Sequence, residues 1–80
     1  MDRTIVAKEE LQDWMTARIR TEEGCEECRF GGLMPLQDPD ETGCNWSERV
    51  TLRATDVPPV IREQAFAKIM TEARSKFNIR

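Results

Sequence analysis

The eighty-residue chain contains no histidine and no tyrosine. The first absence removes the side chain that shuttles protons near neutral pH. With it go Ser-His and Cys-His nucleophilic pairs and every histidine-ligated metal site. No Gly-Lys-Ser or Gly-Lys-Thr follows Gly31-Gly32, so a phosphate-cradling loop is missing too. Apolar runs extend over only a few residues, too short for a transmembrane span. The opening Met-Asp-Arg-Thr-Ile-Val-Ala-Lys-Glu-Glu lacks the basic-then-apolar pattern of a signal peptide. These absences lead to the expectation of a cytoplasmic protein with no membrane association and with reduced thiols. Three cysteines are an odd count, which suits a disulfide framework poorly.

What is present suits a single small domain over residues 1–80. So short a chain buries roughly 60% of its unfolded surface, a thin margin without a metal, disulfides or a partner. The net charge of −3 is unevenly placed. Residues 1–48 carry five Lys/Arg against twelve Asp/Glu, and residues 49–80 carry seven against three. The simplest reading is two solvated helix faces of different composition. The functional reading is complementarity to a second copy of the chain or to a charged partner.

Leu11, Trp14, Met15 and Ile19, with Ala7 a turn earlier, recur at helical spacing and predict a helix over 4–23. Thr4 is its expected N-cap and Gly24 its left-handed C-cap. Glu22, Glu23, Glu26 and Glu27 break a local rule, because they crowd the negative end of the helix dipole. A hairpin follows. Cys28, Phe30, Gly32, Met34 and Leu36 share one parity of its first strand; Trp46, Val50 and Leu52 share a face of the second with Glu48. Asp38-Pro39-Asp40 and Gly43 supply turn chemistry, and Gly31-Gly32 suggests a bulge. A second helix opens at Asp56-Val57-Pro58-Pro59, with Thr55 or Asp56 as its cap. It carries a stripe of Phe66, Ile69, Met70, Ala73 and Phe77 and ends at Asn78. The expected fold is α+β, two helices packed on a β-hairpin in the order α-β-β-α.

Residues 25–46 hold all three cysteines and three of the four glycines, so any site is expected there. Yet no catalytic constellation is completed, and the protein reads as a non-enzyme. Cys25-x-x-Cys28 follows a helix C-terminus and encloses Glu26 and Glu27, which disfavours the thiolate that redox chemistry needs. Zinc held by Cys25, Cys28 and Cys44 is the alternative, with Asp38, Asp40 or Glu41 as a fourth ligand. Hairpin pairing opposes it. Cys28 falls at the open end and Cys44 near the turn, about 25 Å apart at ~3.3 Å per residue. The plainer reading makes Cys28 and Cys44 core residues and leaves Cys25 the first to meet a thiol reagent. Nucleic-acid binding would draw on Arg49, Arg53, Arg62, Lys68, Arg74, Lys76 and Arg80. These are spread around the helix and interrupted by Glu63 and Glu72, so nucleic acid is not the expected partner.

Gly24-Cys25-Glu26-Glu27-Cys28-Arg29-Phe30-Gly31-Gly32, Asp38-Pro39-Asp40, Gly43-Cys44-Asn45-Trp46-Ser47 and Ala73-Arg74-Ser75-Lys76-Phe77-Asn78 together resemble a group of short uncharacterised proteins. That group is encoded in prophages and phage-like regions of proteobacteria. The resemblance implies a genomic setting and assigns no functional residue. With the composition, it leads to the expectation of a small non-catalytic interaction protein that binds a protein partner. The candidate contact residues are Glu22, Glu23, Glu26, Glu27, Gly31, Gly32, Asp38, Asp40 and Glu41. The alternative is a zinc-stabilised or nucleic-acid-associated module using the three cysteines or the basic second helix. Because two strands make a poor sheet, a homodimer through a hairpin edge is also expected.

Overall fold

The computed structural model describes residues 3–80. Six elements follow one another: β1 (Thr4–Val6), α1 (Lys8–Ile19), β2 (Arg29–Gly31), β3 (Thr51–Arg53), α2 (Pro59–Lys76) and β4 (Phe77–Ile79). The architecture is α+β, and the helix-strand-strand-helix order lies inside it. The strands form two separate pairs: β2 with β3 antiparallel, and β1 with β4 parallel.

The β1–β4 pair is the main departure from the sequence reading. Thr4, Ile5 and Val6 are β-branched, stiff at χ1 and better suited to a strand than to a first helical turn. They pair with Phe77, Asn78 and Ile79. Helix α1 therefore starts at Lys8 with Ala7, not Thr4, as its N-cap. The Ala7 N–H donates to Glu10 Oε1 at 3.3 Å. At the other end α1 stops at Ile19, four residues before Glu23. Acidic residues at the negative dipole end do not favour its extension. Instead, successive turns (Glu22 N–H to the Ile19 carbonyl, Cys25 N–H to Glu22, Cys28 N–H to Cys25) carry the chain onward. Gly24, at φ +87°, allows the reversal but sits beyond the helix rather than at its cap.

Helix α2 uses prolines where their missing donors cost nothing: Pro58 is the N-cap and Pro59 opens the first turn. Neither Thr55 nor Asp56 caps it; Asp56 takes a left-handed φ of 56° in the preceding turn. The helix ends at Lys76, so Phe77 leaves the apolar stripe and joins β4. Asn78 belongs to the strand as well and is no terminator.

One core joins the elements. Leu11, Met15 and Ile19 of α1 face Ala65, Ile69, Met70 and Ala73 of α2, with Phe30, Leu33, Trp46 and Val50 of the hairpin. Burying each large apolar side chain stabilises the fold by roughly 1.5–3 kcal/mol. Trp14 meets Phe77 edge-on at 4.9 Å, tying α1 to β4. Along the first hairpin arm the inward parity slips at Gly32. Phe30 is buried, then Leu33, while Met34 is 58% exposed. Gly32 has φ +67°, and a Cβ there would press to 3.1 Å of Thr51 Oγ1. Gly32 thus bends the arm, and past the bend Pro35 bridges to Trp46.

Candidate interaction surface

The two edges of the hairpin are not alike. Along β2, side chains of α1 occupy the outward backbone groups. Phe30 N–H donates to Thr16 Oγ1 at 2.9 Å, and Leu33 N–H donates to Gln12 Oε1 at 3.1 Å. Arg20 Nε donates to the Cys28 carbonyl at 3.0 Å. This edge is closed to another strand.

The same bonds fix the state of β3. Since Phe30 N–H points away from its partner strand, Phe30 and Leu52 form the non-hydrogen-bonded pair of the ladder. Leu52 therefore also turns its N–H and carbonyl outward. Among the described residues nothing bonds to them. Beside this open edge runs a groove of about 310 Å³, lined by Val50, Leu52, Arg62, Glu63 and Phe66. Phe66, among the residues lining it, leans on Phe30, ring centroids 5.9 Å apart. On the opposite face of the hairpin, Arg29 stands directly across from Arg53. Like charges so placed repel each other. Arg29, Arg49, Arg53 and Arg62 are all exposed and make no salt bridge among the described residues.

The acidic candidates are divided rather than assembled. Glu22 and Glu23 line a hollow with Gly24, Ile61, Gln64 and Lys68, beside the N-terminal half of α2. Glu22 is paired there with Lys68 at 3.1 Å. Glu26 and Glu27 are exposed in the turns that follow, and Asp38 is exposed in the hairpin connection. Asp40 and Glu41 lie toward the C-terminal half of α2, near Arg74 and Ser75. Gly31 and Gly32 line the Arg29–Arg53 face. Asp40 is occupied with structure: Oδ1 accepts from Thr42 N–H at 2.8 Å, Thr42 Oγ1 at 2.6 Å and Cys44 N–H at 3.1 Å. Those bonds, led by the Thr42 hydroxyl and aided by Arg74, hold its carboxyl below the usual range.

The Gly-Cys-Asn-Trp-Ser segment is likewise structural. Asn45 and Trp46 bind the backbone of β4, with Trp46 Nε1 donating to the Phe77 carbonyl at 3.0 Å. Arg74 stacks over the Trp46 ring at 5.2 Å and donates to the Trp46 carbonyl and the Asp40 carboxylate.

All three cysteines are fully buried, Cys25 included, which corrects the expectation that Cys25 is accessible. The turns after α1 fold it inward. Burial first, then its hydrogen bond with Cys28 and the charges of Glu26 and Glu22, push the Cys25 thiol up to about 11. Cys44 Sγ lies 3.6 Å from the Trp46 carbonyl instead. The proposed zinc ligands are thus not gathered, and among the described residues no three His, Cys, Asp or Glu are placed to hold a metal. No described helix is long and apolar enough to cross a membrane.

No protein-family model, curated protein or solved structure matches the chain. The groups missed by sequence reading are Thr16 and Gln12, which close one edge, and Arg29, which joins Arg53. Their signal existed only in the strand register, which alternation alone does not set across a long connection.

Proposed function

We propose that the chain is a small non-catalytic interaction protein of phage or prophage origin that binds a protein partner through its hairpin. One observation carries the reading: β3 offers an unpaired edge beside an apolar groove, while α1 closes the edge of β2. Strand addition is a common mode of peptide recognition and uses the two features found together here. The high Cys25 thiol pKa supports a non-catalytic role, since a nucleophilic or redox thiol needs the opposite shift. The phage setting rests on the resemblance given above. Homodimerisation through the hairpin, a special case of this reading, would have to use β3.

The test is capture of a specific protein by the immobilised chain from bacterial lysate, alongside light scattering of the purified chain. The reading expects a saturable partner, or a dimer, that is lost when β3 is altered. A chain that stays monomeric and captures only what an unrelated acidic protein captures overturns it.

A further inference from the structure

We propose that the open edge of β3 takes an extended partner segment in which acidic and apolar residues alternate. This rests on the hairpin-binding reading above and adds the chemistry of the partner. A strand laid beside β3 meets the outward N–H and carbonyl of Leu52. Its alternate side chains then fall on opposite faces. On one face they enter the groove over Phe66, between Val50 and Leu52 of the hairpin and the Arg62–Glu63 turn of α2. Three of the five residues lining that groove are apolar, with Arg62 and Glu63 beside them, and it suits a valine- or leucine-sized side chain.

On the other face the incoming residues meet Arg53, Thr51 and Arg49, with Arg29 directly behind Arg53. The hollow between them is lined by Arg29, Phe30, Gly31, Gly32, Thr51 and Arg53, with no acidic side chain among the described residues of that lining. The arginines hold no ion pair within the chain's described residues. Carboxylates on the added strand would neutralise them and relieve the Arg29–Arg53 repulsion. A second copy does not satisfy this chemistry. Two-fold pairing about Leu52 sets Thr51 opposite Arg53 of the other copy and gathers both Arg29–Arg53 pairs on one face, where the other copy's β3 brings arginines rather than carboxylates. The favoured occupant is therefore a different protein's acidic, extended segment.

The test uses the full chain and short fluorescent peptides of alternating glutamate and valine. Three controls accompany them: a lysine–valine counterpart, a glutamate–valine peptide with alternate amides methylated, and a single-stranded oligonucleotide. Saturable binding of the first peptide alone is expected, with amide shifts confined to residues 49–54 and 60–66. Arg53→Glu, an exposed change that replaces a repulsive pair with Arg29 by an attractive one and so should not lower the melting temperature, should weaken binding about tenfold or more. Equal binding of the methylated peptide, binding of the oligonucleotide alone, or a dimer that protects Leu52 from exchange each overturns the proposal. So does absence of binding by every peptide. Lysate capture of a protein insensitive to Arg53→Glu would leave the interaction role standing while removing this site.

Discussion

The carboxamide of Asn45 binds both backbone groups of Ile79: its Oδ1 accepts from the Ile79 N–H at 2.9 Å, and its Nδ2 donates to the Ile79 carbonyl at 2.7 Å. A single side chain thus plays the part of a neighbouring strand for β4. Asn78 answers, donating from Nδ2 to the Gly43 carbonyl at 3.0 Å and accepting from the Asn45 N–H at 3.3 Å. Asn45→Ala should cost roughly 2–3 kcal/mol, about 1 kcal/mol per lost bond with an added charge for the stranded Ile79 N–H. Asn45→Asp should be worse at neutral pH, since it turns an anionic oxygen toward the Ile79 carbonyl, and should partly recover in acid. Urea unfolding at the two pH values checks the pair; equal stability of wild type and both variants would remove the role given to Asn45.

Arg74 joins Asp40, the Trp46 carbonyl and the Trp46 ring. Arg74→Lys keeps the charge and loses the planar fork, and should destabilise by about 1–2 kcal/mol. Asp40→Asn introduced on that background should add less than it does alone, because the two side chains share one network. Strict additivity in a double-mutant cycle would show that the contact contributes nothing of its own.

Core substitutions should divide by depth. Leu11→Ala and Ile69→Ala empty fully enclosed positions and should cost about 2–5 kcal/mol, enough to unfold much of the population. Phe66→Ala should cost about 1–3 kcal/mol, below the usual phenylalanine loss, since Phe66 is only partly buried and lines the open groove. Thermal melts of the three variants provide the comparison, and a Phe66→Ala loss matching that of Leu11→Ala would mean the groove is closed in solution.

Thiol reagents should find all three cysteines slow in the native state and fast once urea unfolds the chain, since each is fully buried. Cys25→Ser should destabilise about as much as Cys28→Ser, because both place a hydroxyl in an apolar site. Rapid native labelling of Cys25 would show that the turns after α1 open on their own.

Stability should fall at both extremes of pH. Cys25 has its pKa raised from 9.0 to about 11, so the folded state holds its proton more tightly than the unfolded one. That contribution is complete below pH 9.0 and is lost as pH rises through about 11. Asp40 and Glu72 are shifted downward from 3.8 and 4.5, led by the Thr42 hydroxyl and by Lys76 respectively. Their contribution is present above those values and disappears as acid protonates the folded carboxylates. Melting temperature followed across pH should show a smaller alkaline loss in Cys25→Ala than in wild type. An unchanged alkaline limb would assign the loss to other groups.

The helices and the hairpin were legible because their signals are local. The steps from Leu11 to Ile19 and from Ile69 to Ala73 reproduce the buried faces, and the alternation of Trp46, Val50 and Leu52 gives the inward side of the second arm. What escaped depends on partners distant in sequence. Three β-branched residues at 4–6 look equally like a ragged helix start until Phe77–Ile79 is placed beside them. Phe77 continues a helical spacing perfectly well, and only the pairing with Thr4 turns it into a strand residue. The candidate site was half visible. The hairpin and Arg49 and Arg53 could be named, but the closure of one edge by Thr16 and Gln12 requires knowing how α1 crosses it.

The parallel pairing of β1 with β4 also bears on how the molecule is made. Thr4 must find Phe77, nearly the whole described chain away, across both helices and the hairpin. Contacts so remote in sequence form late, because the loop they close is costly before it is rewarded. Translation at about 5–20 residues per second gives the first strand several seconds without a partner. During that interval Val6 lacks the core it packs against, and Trp46 lacks the Phe77 carbonyl that its indole will bind. The hairpin and α1 can meet early, but the fold is sealed only when its final strand emerges.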